Sequence, residues 1–128
     1  MLDTRVQYLL RSIIDSPDKL HILLTLYSQV QEQVNAEQLS ERLCRDVWSV
    51  SQALRELSED GLLEVVHVAG SSPVYRFQPR SEYVAAINEL INSYDDPIAR
   101  SLIHHALREM SGYTAARRGR ASHVRNVW

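Results

Sequence analysis

The chain has 128 residues, 45% hydrophobic and 23% charged, with four Gly and four Pro, which is enough for one domain around one core and excludes collagen-like and wholly disordered chains. No apolar run approaches the roughly 18 to 20 residues that span a bilayer, and the N-terminus lacks a basic end followed by an apolar stretch, so a soluble cytoplasmic protein is expected, with no membrane partner. The net charge of −2 conceals a split: residues 113–128 hold Arg117, Arg118, Arg120 and Arg125 without an acid, which leaves −6 on residues 1–112 and argues against nucleic-acid binding by charge alone.

Apolar residues Leu2, Val6, Leu9, Leu10, Ile13 and Ile14 recur at spacings of three and four, predicting a helix over 2–14 with one buried stripe. Ser16-Pro17-Asp18 reads as N-cap, first-turn proline and an acid near the positive helix end, and starts a second helix. Leu20, Ile22, Leu23, Leu24, Leu26, Tyr27 and Val30 make it apolar on more than one side, which places it centrally. Asn35 with Gln38 three residues on is a capping-box variant opening a third helix of about two turns, buried through Leu39 and Leu43. Asp46 caps a fourth helix with buried positions Val50, Ala53, Leu54 and Leu57, and Gly61 ends it at C′.

Leu62 to Val68 is rich in β-branched residues and Val74 to Gln78 alternates, with turn residues 69–73 between them, so a β-hairpin is expected. Ser81 and Glu82 start a fifth helix striped by Tyr83, Val84, Ile87, Leu90, Ile91 and Tyr94. Asp96-Pro97 repeats the N-cap-plus-proline signal and opens a sixth, through Ala99, Leu102, Ile103, Ala106 and Met110 to Gly112. Residues 1–112 thus form a single domain, with a flanking helix 2–14, a module 16–79 and two C-terminal helices over 82–110. The tail 113–128 has no apolar periodicity and is expected to lack fixed structure.

Three helices, the second and third joined by a tight turn and followed by a hairpin, is the order of a winged helix-turn-helix. The fold class expected is mainly α with a small β-hairpin wing. The run Leu39-Ser-Glu-Arg-Leu43, three residues, then Val47-Trp-Ser-Val-Ser-Gln-Ala-Leu-Arg-Glu-Leu57-Ser-Glu-Asp-Gly61-Leu-Leu-Glu-Val65, resembles the winged-helix transcription regulators of bacteria. Val74-Tyr75-Arg76-Phe77 is similar to the return strand of their wing. Apolar stripes on the first and last helices resemble the all-helical dimer interface of MarR-like regulators. The Asp-x-Arg wing motif common in that family is missing, so the arrangement carries over and membership does not. The resemblance implies a homodimer through the first and last helices, with double-stranded DNA as partner.

A recognition helix needs a polar face for the major groove. At 100° per residue, Trp48, Gln52, Arg55 and Glu59 fall opposite the apolar stripe of the fourth helix, flanked by Ser49, Ser51 and Glu56. Gln52 can read adenine bidentately, Arg55 can read guanine or hold a phosphate, and Ser49 and Ser51 suit phosphate or base contacts. The alternative for this face is simple solvation. Trp48 has three readings: contact with thymine methyl groups, an anchor for a protein partner, or packing against a flanking helix, with packing ranked first. Arg45 sits where the family has an apolar turn residue, and Cys44 where it often has Gly; Cys44 is expected to be a small buried thiol rather than a redox switch.

The hairpin tip is uncharged, leaving Arg76 and His67 as cations near a duplex. Residues 16–79 hold five basic and nine acidic residues, so phosphate binding depends on concentrating few arginines on one face. Glu56, Glu59 and Asp60 fall at the end of the fourth helix expected to tilt out of the groove. Arg117, Arg118 and Arg120 can lie along phosphates as a flexible arm, or form a solubilising end. Two functions remain, a dimeric DNA-binding regulator and a winged-helix adaptor that binds protein through Trp48 and its acidic surface. No catalytic residues are expected, because Asp95-Asp96 and His104-His105 are adjacent pairs and no nucleophile has a base at usable spacing. The single cysteine cannot form an internal disulfide, the histidines lack ligand spacing, and no metal or cofactor is expected.

Overall fold

The computed structural model describes residues 2–29, 32–66, 70 and 72–109. Helix α1 (Thr4–Ser12) is followed by α2 (Pro17–Tyr27), β1 (Gln33–Val34), α3 (Ala36–Leu43), α4 (Val47–Glu59), β2 (Leu63–Val66), β3 (Val74–Phe77) and α5 (Ser81–Tyr94). A sixth helix, α6, covers 97–109. Among the described residues, no helix is long and apolar enough to cross a membrane.

The helix starts are set by local chemistry. Asp3 accepts from the Arg5 N–H, Ser16 from the Lys19 N–H and Asn35 from the Gln38 N–H, the last as a full capping box with the Gln38 side chain reaching back. Each satisfies amide donors that the first helical turn leaves without partners. The first helix is shorter than its apolar spacing suggests, ending at Ser12; Ile13 and Ile14 remain buried in the junction that follows, with both amides on the Leu9 carbonyl. The fifth helix starts where expected, although its N-cap residue Arg80 makes no side-chain cap hydrogen bond.

The core is continuous, joining Val6, Leu9 and Leu10 of α1, Leu20, Ile22, Leu23 and Leu26 of α2, the α4 stripe, and Ile87, Leu90, Ile103 and Leu107 of α5 and α6. Burying one such side chain stabilises the fold by about 1.5–3 kcal/mol. Helix α2 packs against α4 and β3, while α1 packs against α5, and the buried side chains of both groups meet in one core.

The hairpin gains a third strand not legible in the sequence: the antiparallel order is β1-β3-β2, with Val34 opposite Tyr75 and Val66 opposite Val74. Two residues are too short to show an alternating pattern. Val34 forms a strand because β3 offers it a free edge and its side chain reaches the core, where it is fully buried. The hairpin strands are also shorter than the apolar runs, and expected strand residues His67 and Val68 lie outside the described residues.

Candidate nucleic-acid interface

The turn between α3 and α4 is built without glycine. Cys44 ends α3 in the left-handed conformation, φ 54°, with its N–H donating to the Ser40 and Glu41 carbonyls. This reversal carries its side chain outward, so Cys44 is exposed and not the buried thiol expected. Arg45, also at the turn, donates to His21 Nδ1 at 2.7 Å and pairs with Asp18 at 2.7 Å. Desolvation, followed by the Arg45 charge, holds His21 below its ordinary pKa, so its ring is neutral at neutral pH and Nδ1 can accept.

Asp46 then opens α4, accepting from the Trp48 and Ser49 amides and the Ser49 hydroxyl. The hydroxyl and amide of Ser49, with the Trp48 amide, hold its carboxyl below the usual range. The cap fixes where α4 begins, and burial of Val50, Ala53, Leu54 and Leu57 fixes its rotation. Trp48, two residues before Val50, must therefore face away: it is 83% exposed, which overturns packing against a flanking helix. Ser51, Gln52, Arg55 and Glu59 are exposed on the same helix. Ser49 is half-buried, its hydroxyl engaged by Asp46.

Glu56 departs from the sequence reading. Instead of flanking the polar face or tilting out with Glu59, its side chain is only 12% exposed and its Oε1 lies 2.7 Å from Lys19 Nζ. Lys19 is 2% exposed and is also 2.7 Å from Asp15, itself 2% exposed. The one lysine of the chain is therefore an internal counter-ion. On the outer side, Glu56 Oε2 accepts from Gln52 Nε2 at 3.1 Å.

The remaining cations of the module are mostly engaged. Arg42 pairs with Glu32, Arg45 with Asp18, and Arg76 with Glu64, its cross-strand partner on β2. Arg55 alone among residues 16–79 carries no ion pair with the described residues. The charge count of the sequence thus resolves into four internal pairs plus one exposed arginine beside Gln52. Arg117, Arg118 and Arg120 lie outside the described residues.

Beyond the module, Tyr8 of α1 is 53% exposed and Ile98 of α6 is 73% exposed, with Val84 of α5 and Leu102 of α6 also exposed. Val84 and Leu102 belong to the apolar stripes that the sequence places on these helices, and that part of each stripe is exposed. A shallow groove between α2 and α6 is lined by Pro17, Leu20, His21, His104, Leu107 and Arg108.

No protein-family model and no curated protein matches this chain. Two solved structures do. One is a possible transcriptional regulator from Methanosarcina mazei Go1, 17% identical, covering 76% of this chain and 85% of its own, with a TM-score of 0.53. The other is a mutant of MepR from a multidrug-resistant S. aureus clinical isolate, 16% identical, covering 92% of this chain and 84% of its own, also with a TM-score of 0.53. At this identity the likeness is one of fold, and the fold of this chain is a winged helix with flanking helices.

Proposed function

We propose that the chain is a DNA-binding transcription regulator, acting as a homodimer that reads the major groove with α4 while the wing flanks the duplex. The observation that carries this reading is the division of α4 into a buried apolar face and an exposed face bearing Trp48, Ser51, Gln52 and Arg55. In this role Gln52 pairs with adenine, Arg55 takes guanine or a phosphate, and Trp48 covers thymine methyl groups. Ser51 contributes a hydroxyl; Ser49 has first to release Asp46. Arg45 and Arg76 reach phosphates by exchanging Asp18 and Glu64 for the duplex, which makes affinity modest.

Dimerisation supplies what one module lacks. Exposed Tyr8, Val84, Ile98 and Leu102 sit on α1, α5 and α6, outside the module, and their burial between two copies would present two α4 helices about 34–36 Å apart on successive turns of one DNA face. The similar regulators named above support the same reading.

Fluorescence anisotropy with fragments of the source genome at low salt tests it. Specific binding is expected, and the double variant Gln52→Ala, Arg55→Ala weakens it while leaving the melting temperature unchanged; one good bidentate pair is worth about 1–3 kcal/mol. Failure to bind any duplex specifically, or a double variant that binds as wild type does, refutes the proposal. Truncation after residue 112 measures separately what Arg117, Arg118 and Arg120 add to affinity as a phosphate arm.

A further inference from the structure

Lys19 stands at the third position of α2, where the helix dipole disfavours a cation. It is nonetheless buried, held between Asp15 at 2.7 Å and Glu56 at 2.7 Å. Buried ionic clusters are poor stabilisers, since apolar residues of similar volume hold a core as well or better. What the cluster does provide is direction. Its outer member splits its two oxygens, Oε1 on Lys19 inside and Oε2 on the Gln52 amide at the surface.

A carboxylate only accepts hydrogen bonds, so the Gln52 group facing Glu56 is its nitrogen. One amide hydrogen is thereby engaged, and the oxygen Oε1 and the second amide hydrogen are left for a ligand. That remaining pair, one acceptor beside one donor, matches adenine, which offers its N6 amino donor beside its N7 acceptor in the major groove. An unrestrained glutamine could turn its amide over and present the opposite order to another base.

We propose that Asp15, Lys19 and Glu56 form a positioning relay that sets the amide of Gln52 for adenine, so that residues buried away from the duplex determine base preference at one position of the site. This rests on α4 being the reading helix. Glu56 and Lys19 are positioning residues and touch no base.

Selection from a randomised duplex library, followed by anisotropy on single-base variants of the enriched sequence, tests the relay. Wild type is expected to prefer adenine at one base pair by about 5- to 150-fold, and replacing that adenine by 7-deazaadenine, which lacks the N7 acceptor, weakens wild type but not Gln52→Ala. Glu56→Ala, which leaves Lys19 paired with Asp15, should lose the greater part of the preference at that base pair and at no other. A purely structural role for Glu56 would lower affinity for all sequences alike. If Glu56→Ala does not melt cooperatively, Glu56→Gln gives the same readout, because the Lys19 ammonium only donates and takes the oxygen of the new amide, which turns its nitrogen toward position 52 and makes Gln52 face it with Oε1, so that the order adenine needs is lost. An enriched sequence whose adenine preference survives in the folded Glu56 variant overturns the relay alone; no enriched sequence with wild type overturns the reading role of α4 and the relay with it.

Discussion

Replacing Lys19 by Met removes the ammonium from between two carboxylates, each 2.7 Å away, and keeps an unbranched apolar stem. Breaking a buried ion pair by removing one partner costs about 3–5 kcal/mol, a large share of the 5–15 kcal/mol that holds a domain together. A second route to the same magnitude is proton uptake: giving a proton at pH 7 to a carboxylate of ordinary pKa near 3.9 costs about 4 kcal/mol, which caps the penalty for one such group. Urea unfolding at pH 7 should therefore show Lys19→Met less stable by about 3–5 kcal/mol, a drop of at least about 12 °C in melting temperature for a domain of this size.

The triple variant Asp15→Leu, Lys19→Met, Glu56→Leu removes all three charges and should regain most of the loss. A Lys19→Met protein within about 0.5 kcal/mol of wild type, or a triple variant no more stable than the single one, would refute the account of a tightly coupled buried cluster.

Further expectations concern the backbone and the turn. Gly61→Ala places a side chain at φ +94° with its Cβ 2.6 Å from Arg80 Nε; a loss of about 1–2 kcal/mol in urea unfolding is expected, which Arg80→Ala relieves only in part because the dihedral cost remains. At Cys44, φ 54° and an exposed side chain leave backbone strain as the deciding factor, so Cys44→Val loses about 1–3 kcal/mol while Cys44→Gly stays within about 1 kcal/mol, as thermal melts will show; the thiol of the folded protein should also react readily with a small thiol reagent. His21, held below its ordinary value of 6.5 by desolvation and by Arg45, contributes stability that is full above 6.5 and is lost as pH falls through its lowered folded pKa. His21→Gln keeps an acceptor for Arg45 without a titration, and its stability from pH 7 to 5 should be flatter than that of wild type.

The helix starts at Ser16, Asn35 and Asp46, the apolar stripe of α4 and its glycine exit at Gly61 were all legible in the sequence, because a cap and a period of 3.6 are local properties. The wing strands followed from composition for the same reason. Local pattern does not specify what lies across the core. Strand β1 exists only because β3 presents an edge to Val34. Asp15 and Lys19 have a helical i,i+4 spacing visible in the chain, but Glu56 joins them from 37 positions away and only through the packing of α2 on α4. The exposure of Trp48 was open while the phase of α4 was open, and the cap at Asp46 together with burial of Val50 decides it. Above all, a charge count sums residues without regard to place. Length and composition set the expectation of one small domain and fixed an acidic charge total, whereas tertiary structure decided that four of its module's five cations are held within the chain and that Arg55 stands out beside Gln52, because electrostatic effect depends on distance and burial and neither is written in the order of residues.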